Sequence, residues 1–192
     1  MTMNLPDRMP PLAREQMDEA QRAAADELIA GPRKAVKGPF IPMLRSPLLM
    51  QRLQKVGEYL RFDSALPTRL NEFATLIVAR AWSQQFEWIV HAQAAANAGT
   101  SAASIAALRE GRRPTDMSED EALVHDLVTE LLAQRGWCDA SYARAVARFG
   151  ERGVVDLAAL VGYFATVCGV LNIAHTPPEL AEGVAPLPGL PA

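Results

Sequence analysis

Hydrophobic residues recur along the chain with the spacing of helices, and strand signals are nearly absent. The segments at 47–62 and 68–81 place apolar residues three and four positions apart, which gives a helix one apolar face. The sequence has no sustained alternation of apolar and polar residues and no Asn-Gly or Asp-Gly hairpin turn. This pattern predicts an all-α fold, a single-domain bundle of about seven or eight helices.

Helix start signals place several of the boundaries. Pro47 and Pro67 suit the first turn of a helix, where the missing backbone N–H is not needed. Ser118 and Glu121 have the spacing of a capping box ahead of the next helix. Asp139 is the predicted N-cap of a short separate helix that precedes the last long one.

Composition changes near both ends of the chain and suggests three parts. Residues 1–35 are predicted to form an N-terminal helical segment, residues 36–180 a helical domain, and residues 181–192 a Pro-rich tail. The tail is expected to cross a surface of this chain or of a neighbouring subunit. The basic stretch GPRKAVKG (31–38) is interpreted as a solvated loop.

Composition and charge narrow the classes of function. The chain has 192 residues, of which 49% are hydrophobic, and a formal net charge of −3. This charge gives no reason to expect a nucleic acid or an anionic membrane as a partner. The longest uncharged apolar run, residues 157–173, contains Tyr163 and Asn172 and is shorter than the roughly 20 residues that span a bilayer. It is therefore predicted to be a buried helix.

The cysteines and the N-terminus indicate the cellular compartment in which the protein is expected. Cys138 and Cys168 lack the spacing of a metal site and of a C-x-x-C motif, which argues against a disulfide-stapled secreted fold. The N-terminus contains no apolar core of a signal peptide. Both features predict a protein of the reducing cytoplasm.

Two helices are apolar nearly all round and predict self-association. They lie at 84–99 and 154–175, and one domain of this size buries a single such helix more easily than two. Gly162 and Gly169, seven positions apart, share a face of the second helix and allow close approach of another helix. Tight packing within one chain explains these glycines equally well, but the two helices together favour a homo-oligomer.

The stretch QQFEWIVHAQAAANAG (84–99) contains the strongest candidate for chemistry. Glu87 is the only formally charged residue among residues 81–108, on a helix that lacks an ordinary charged face. His91 follows Glu87 by one helical turn, so both side chains point the same way. Gln84 precedes Glu87 by three residues and joins the same polar stripe.

A carboxylate in such an apolar setting has a testable consequence. Burial of Glu87 is costly unless its pKa rises or a neighbouring cation keeps it ionised. A carboxyl group beside a histidine is a common acid–base pair near neutral pH. The same spacing also occurs in structural hydrogen bonds and on solvated helix faces, so both interpretations stay open at this point.

Several other residues are weaker candidates. Glu72 lies among apolar neighbours, and Arg69, three residues before it, makes a surface ion pair the default interpretation. Trp88 is interpreted first as a core or interface anchor and second as a substrate contact. A metal site is not predicted, because no third ligand accompanies Glu87 and His91. Three residues flank the helix at 47–62 and are candidates for binding an anionic ligand: Arg45, Tyr59 and Arg61.

Short motifs in the middle of the chain form a recognisable set: LP-x-R ahead of Glu72, EW-x-x-H at 87–91, and AG-x-S at 98–101. The later stretch LVGYFATVCGVLNIAHTPPE (160–179) ends a helix with a Pro-rich exit. Over about residues 40–180 the chain resembles the carboxymuconolactone decarboxylase family, which includes the alkyl hydroperoxidase D-like proteins. The resemblance implies an all-helical fold, assembled as trimers or hexamers, with the active site near a subunit boundary.

The resemblance also implies roles for individual residues. In the peroxidase branch of the family, two cysteines precede the histidine by seven and four residues, and a glutamate lies further upstream. The matching positions here are Gln84, Glu87 and Glu72, and neither Gln nor Glu supports thiol chemistry. What remains implied is a decarboxylase-type set, in which Glu72, Glu87 and His91 are catalytic and Gln84 binds substrate. Decarboxylation of an unsaturated lactone acid by such a set requires no metal and no organic cofactor.

Three hypotheses for function follow. The leading one is a cofactor-independent carboxy-lyase of aromatic catabolism that acts on a small carboxylated lactone, or a related organic acid, by general acid–base chemistry. The second is a peroxidase of the alkyl hydroperoxidase D-like type that uses Cys138 or Cys168. The third is a non-catalytic helical oligomer of the same family, in which Glu87 and His91 are satisfied polar residues.

Overall fold

Residues 6–179 and 181–188 are described in the computed structural model, and every regular element among them is helical. This confirms the all-α prediction and its seven or eight helices. A short 3-10 helix at Arg14–Gln16 precedes the eight α-helices. These are α1 (Glu19–Ala30), α2 (Phe40–Met43), α3 (Pro47–Phe62), α4 (Thr68–Ala81), α5 (Gln85–Asn97), α6 (Ala102–Arg109), α7 (Glu119–Gln134) and α8 (Asp139–Ala174).

Helix α4 lies at the centre of the fold. Its residues 70–79 are all buried, and it contacts α5, α7 and α8. The polar members of this buried run find local partners, since the Asn71 amide donates to Leu60 O at 2.9 Å and the Thr75 hydroxyl donates to Asn71 O at 2.8 Å. Glu72 is the exception, because a buried carboxylate needs a compensating charge from another element.

Two capping boxes set the starts of helices. The Ser118 hydroxyl accepts from Glu121 N at 3.3 Å, and Glu121 Oε2 accepts from Ser118 N at 2.9 Å, as the spacing predicted. A second box joins Asp18 and Gln21 and starts α1. The predicted N-terminal helix is therefore interrupted before Asp18, and only a 3-10 turn precedes it.

The start of α8 differs from the prediction, because the N-cap is Cys138 and Asp139 is the first helical residue. The predicted separation of a short helix from the last long one is confirmed, since Gly150, with a φ of 68° and a ψ of 172°, is not helical and divides α8 at a kink. A positive φ suits glycine, which has no Cβ to clash with the backbone.

Asp156 links α8 by hydrogen bonds to the end of α3 and to the connection between α3 and α4. Its carboxylate is 4% exposed and accepts hydrogen bonds from Tyr59 Oη at 3.0 Å and from Ala65 N at 2.8 Å. A buried carboxylate that accepts two donors in this way fixes both segments in place. The contact aligns the N-terminal end of α4 with α8.

The chain ends pack on the helices of the same chain. Arg8 N donates to Ala174 O at 2.8 Å, at the end of α8. The Gln85 side chain bonds both the N–H and the C=O of Leu187 at 2.9 Å, so the Pro-rich tail crosses the start of α5. Residues 189–192 of the predicted tail and residues 1–5 of the predicted N-terminal segment lie outside the described residues. The division into three parts stays a prediction.

Helix α8 combines a buried face with an exposed apolar one. Leu157, Leu160 and Leu171 are buried in the core, whereas Val155 and Ile173 are 64% and 63% exposed. By length and composition alone the helix could cross a membrane, which is weak evidence because the core helices of soluble proteins meet the same criterion. Whether α8 meets another subunit or a membrane stays a matter of prediction.

The two glycines of α8 have different surroundings. A Cβ at Gly169 would lie 3.5 Å from the ring of Trp82 in the same chain, whereas one at Gly162 would meet open space. Packing within the chain therefore accounts for Gly169. Gly162 stays exposed on the apolar face of the helix, and the predicted homo-oligomer stays a prediction.

Candidate active site

Helices α4 and α5 place one histidine between two carboxylates. His91 Nδ1 lies 2.5 Å from Glu72 Oε2, and His91 Nε2 lies 3.2 Å from Glu87 Oε2. The three side chains expose 12% of their surface or less. We call Glu72, Glu87 and His91 the acid–base cluster. The histidine, when protonated, supplies one positive charge that is shared by the two carboxylates withdrawn from water.

The start of α5 explains how Glu87 is aimed. Gln84 is the N-cap of this helix, and its Oε1 accepts a hydrogen bond from Glu87 N at 2.9 Å. This cap fixes the first turn, on which Glu87 lies one turn before His91 and on the same face. Glu72 reaches the ring from α4, so the cluster depends on the packing of α4 against α5.

The cluster holds a proton on His91. Burial lowers the pKa of the imidazole, but the carboxylates of Glu72 and Glu87 oppose burial more strongly and raise the pKa of His91 to about 9. At neutral pH the ring is therefore an imidazolium with a carboxylate on either side. Of the two consequences expected for a buried Glu87, the structure provides the neighbouring cation.

The cluster lines a cavity of about 390 Å³. Cavities of this size accommodate small organic molecules. Phe164 of α8 also lines the cavity and meets the His91 ring nearly perpendicularly, with the ring centroids 4.9 Å apart. The other charged residues of the lining are Arg33, Lys37, Arg61 and Glu179. The acid–base cluster, an aromatic ring and cationic side chains therefore line the same cavity.

Half of the site residues predicted from the sequence line this cavity: Glu72, Glu87, His91 and Arg61. The default interpretation of Glu72 as a surface ion-pair partner is wrong. Its side chain is buried against His91, whereas Arg69 pairs with Glu121 at 3.5 Å. The structure thus brings together the three residues assigned to catalysis, and their catalytic role stays a prediction.

The other half do not line the cavity: Arg45, Tyr59, Gln84 and Trp88. Arg45 donates to the backbone carbonyls of Pro10 and Ile41, and Tyr59 donates to Asp156. Gln84 serves as the cap of α5, and the buried Trp88 donates from Nε1 to Ala185 O at 3.0 Å. The fold itself uses the polar groups of these four side chains, and their role as substrate contacts stays a prediction that this cavity does not support.

Two residues of the cavity were missed by sequence reasoning. Arg33 belongs to the stretch interpreted as a solvated loop, yet it is half-buried and its guanidinium lies 4.4 Å from the Phe40 ring centroid. Tyr163 is a lone hydroxyl in the apolar run of α8 and is only 9% exposed. A basic residue directly after glycine and proline is typical of an exposed turn, which explains why Arg33 was missed. Tyr163 could have been found from the sequence as a phenol in an otherwise apolar helix.

Neither cysteine lines the cavity. Cys138 is exposed at the start of α8, with its Sγ 3.4 Å from the Ser141 hydroxyl. Cys168 is buried, and this burial, reinforced by the charge of Glu87, raises the pKa of its thiol. A thiol that stays protonated is a poor nucleophile. Among the residues that the structure describes, no three or more His, Cys, Asp or Glu side chains are arranged to hold a metal ion.

Part of the chain matches a known protein family. The model of the carboxymuconolactone decarboxylase family matches residues 47–124, from the first turn of α3 into α7. This segment belongs to the carboxymuconolactone decarboxylase family. The match confirms the resemblance seen in the motifs, over a shorter span than residues 40–180. None of the curated proteins compared with the chain matches it.

The carboxymuconolactone decarboxylase segment supplies only part of the cavity. All three members of the acid–base cluster lie inside residues 47–124. Arg33, Tyr163 and Phe164 lie outside this span, although they line the same hollow. The cavity therefore joins a family element to walls contributed by the remainder of the chain.

Proposed function

We propose that the protein is a cofactor-independent carboxy-lyase of the carboxymuconolactone decarboxylase type, acting on a small carboxylated lactone or a related organic acid. The single observation that carries this proposal is the buried Glu72–His91–Glu87 arrangement on the wall of a cavity. A protonated imidazole between two carboxylates can store a proton and deliver it in a site sheltered from water. Membership of the segment at 47–124 in the family supports the same class of chemistry.

The proposed reaction balances with the residues at hand. Decarboxylation breaks the bond between a ring carbon and the carboxylate carbon and releases carbon dioxide. The electron pair moves through the ring double bond to the lactone carbonyl oxygen and forms a dienolate. Protonation at carbon then completes the product, and the cluster regains its proton from water. The enzyme must therefore stabilise a negative oxygen and supply one proton.

The distances within the cluster suggest which residue delivers the proton and which one positions the imidazole ring. His91 is held closely by Glu72 at 2.5 Å and more loosely by Glu87 at 3.2 Å. We assign the delivery of the proton to Glu87, with His91 as its reservoir, because the looser contact yields a proton more readily. Glu72 then acts as the positioning residue that fixes the orientation of the ring.

The peroxidase hypothesis has less support. Its chemistry requires a nucleophilic thiolate near the substrate. The positions that correspond to the family's two cysteines are Gln84 and Glu87, and the buried Cys168 has a raised pKa. A peroxide-consumption assay on the wild type and on the Cys138→Ser/Cys168→Ser double variant tests it directly. Consumption that depends on these cysteines would favour the peroxidase over the lyase.

The lyase proposal is tested by turnover. The purified chain is incubated with a panel of unsaturated γ-lactone acids, and carbon dioxide release is followed together with the change in ultraviolet absorbance. For a substrate that turns over, Glu87→Gln is expected to lower kcat by about 10²–10⁴-fold, the usual contribution of a general acid. Arg52→Gln is the matched control, because Arg52 is exposed and lies outside the cavity lining.

Two results would contradict the proposal. The first is an absence of carbon dioxide release from every acid in the panel under conditions where the chain is folded. The second is turnover by Glu87→Gln at the rate of the Arg52→Gln control. Either result leaves a helical member of the family whose cluster is structural.

A further inference from the structure

The cavity contains a second polar feature besides the acid–base cluster. Arg33 lies between α1 and α2, and Tyr163 lies in α8, so both come from outside the family segment. Phe164 connects the two features, because its ring is nearly perpendicular both to His91, at 4.9 Å between centroids, and to Tyr163, at 5.2 Å. A molecule bound at Arg33 and Tyr163 would therefore lie near the acid–base cluster.

The tips of Arg33 and Tyr163 converge on Gly57 of α3. A Cβ built on this glycine would come 2.3 Å from Tyr163 Oη and 3.1 Å from Arg33 Nη2. Gly57 is buried in the middle of a helix, where glycine is less favourable than alanine. Its presence is explained by the space it leaves for the hydroxyl and the guanidinium.

The Arg33 guanidinium faces the Tyr163 hydroxyl as a donor, so what both tips lack in the described part of the chain is an anionic acceptor. Tyr163 is 9% exposed, and no acceptor for its hydroxyl proton lies within hydrogen-bonding distance among residues 6–179 and 181–188. Over the same ranges no carboxylate forms an ion pair with Arg33. Buried tyrosine hydroxyls nearly always find a partner. An acceptor supplied by a ligand would satisfy both residues at once.

The charge of the cavity favours an anion as that ligand. With His91 protonated, the cationic side chains of the lining are Arg33, Lys37, Arg61 and His91, and the carboxylates are Glu72, Glu87 and Glu179. His91 pairs with both carboxylates of the cluster, and the four cations and three carboxylates of the lining together give a net charge of +1. Lys37 and Arg61 are exposed, so Arg33 is the half-buried cation that remains without a counter-charge.

We propose that Arg33 and Tyr163 form the binding site for the carboxylate of a small organic acid in this cavity. The planar guanidinium donates two parallel hydrogen bonds to a carboxylate, and the phenol donates a third. The Phe40 ring, 4.4 Å below the guanidinium, holds Arg33 in place. Burial raises the pKa of Tyr163, so the hydroxyl keeps the proton it must donate. For the substrate of the lyase, this inference rests on the proposed function, but the binding site itself can be tested without turnover.

The test uses 2-furoate as the probe and its uncharged amide, furan-2-carboxamide, as the matched ligand. Binding of each to the full chain is measured by titration calorimetry or by NMR chemical-shift changes. The wild type is expected to bind 2-furoate at least tenfold more tightly than the amide. Arg33→Gln should abolish this preference, and Tyr163→Phe should weaken 2-furoate binding severalfold. Arg52→Gln, on the exposed side of α3, should behave as the wild type.

Gly57→Ala provides a second test that does not remove a charge. Because its Cβ would displace both Tyr163 Oη and Arg33 Nη2, 2-furoate binding should fall at least tenfold. The thermal transition should be retained, since alanine favours the helix. The proposal is overturned if the wild type binds the two probes equally or binds neither. It is also overturned if Arg61→Gln, rather than Arg33→Gln, abolishes the preference.

Failure of this proposal can be distinguished from failure of the proposed function. Probe binding that depends on Arg33, without turnover of any lactone acid, would support the binding site and contradict the lyase. Turnover with a KM unchanged in Arg33→Gln would support the lyase and contradict the binding site. An Arg33→Gln variant with a raised KM and an unchanged kcat is the result expected if both are correct.

Discussion

The acid–base cluster and the Arg33–Tyr163 pair line the same cavity, but their charges are balanced in different ways. Both ring nitrogens of His91 face a carboxylate of the protein, and α4 and α5 supply all three side chains. Arg33 and Tyr163 come from outside the family segment, and in the described chain the guanidinium faces the phenol hydroxyl instead of a carboxylate. Changes in the cluster should therefore affect folding as well as chemistry. Changes in the pair should affect affinity and leave folding nearly unchanged.

The largest expected effect is that of His91→Ala on stability. This change leaves the buried Glu72 and Glu87 without their cation, and the loss of one partner of a buried charged group typically costs about 3–5 kcal/mol. The free energy of unfolding, measured by urea titration at pH 7, should fall by this amount. The triple change Glu72→Gln/Glu87→Gln/His91→Gln removes all three charges and should cost less. A loss below about 1 kcal/mol for His91→Ala would contradict a compensated buried cluster.

The pH dependence of stability tests the pairing of His91 with the two carboxylates in the unmutated protein. The pKa of His91 is raised by folding from 6.5 to about 9, so the folded state binds the proton more tightly than the unfolded state. Its contribution is fully present below pH 6.5 and is lost as the pH rises through 9. At about 1.4 kcal/mol per pKa unit, the loss is on the order of 3 kcal/mol. The measurement is a series of urea titrations from pH 6.5 to 10.

The control for the pH series is His91→Gln, which lacks the titrating ring. Other groups that titrate over this range remain in both proteins. The wild type should therefore lose stability more steeply than the variant between pH 6.5 and 10. Parallel curves for the two proteins would mean that His91 does not hold the proton that we assign to it.

A smaller effect is expected where the family segment contacts the tail. Gln85 makes two hydrogen bonds with Leu187, and each contributes about 0.5–1.5 kcal/mol net. In Gln85→Ala the tail should open locally, with faster hydrogen exchange at the Leu187 amide and a global stability reduced by about 1–3 kcal/mol at most. Gln93→Ala, in an exposed position of the same helix, is the control. Unchanged exchange at Leu187 would show that other contacts hold the tail.

The smallest expected effect on stability is that of Tyr163→Phe. Loss of a bonded buried hydroxyl usually costs about 1 kcal/mol, but the Tyr163 hydroxyl faces only the guanidinium of Arg33 in the described chain, and the half-buried Arg33 can bond water instead. The free energy of unfolding without ligand should therefore stay within about 0.5 kcal/mol of the wild type. With 2-furoate present, the wild type should gain more in melting temperature than the variant. A loss above about 1.5 kcal/mol without ligand would indicate a structural partner for the hydroxyl.

Local spacing was sufficient to predict two of the three members of the cluster. Glu87 and His91 lie one turn apart on a helix otherwise free of charge, and this pattern alone indicated an inward-facing pair. The partnership of Glu72 with His91 could not be read from local spacing, because it depends on how α4 packs against α5. The nearer Arg69 was a plausible alternative partner for Glu72 until tertiary contacts were known.

The contacts that sequence reasoning did not foresee share a physical cause. Gln84 has the right spacing to join the polar stripe, but it stands at the first position of a helix, where the backbone N–H groups need a side-chain acceptor. Tyr59 appeared free to bind a ligand, but the distant Asp156 takes its hydroxyl. Arg33 appeared solvated because neighbouring glycine and proline indicated a turn. In each case a contact with a residue or backbone group outside the motif decided the role.

Because Trp88 contacts the tail, its intrinsic fluorescence should report whether the tail is bound to α5. Trp88 is fully buried beside Glu87, and its indole N–H is bonded to Ala185 O, whereas Trp82 is 41% exposed. Water reaches the Trp88 indole only when the tail leaves α5, and its fluorescence emission would then move to longer wavelength. Of the three tryptophans, Trp82 and Trp137 would be changed to Phe, so that Trp88 alone emits and the state of the tail could be followed by fluorescence without an added dye.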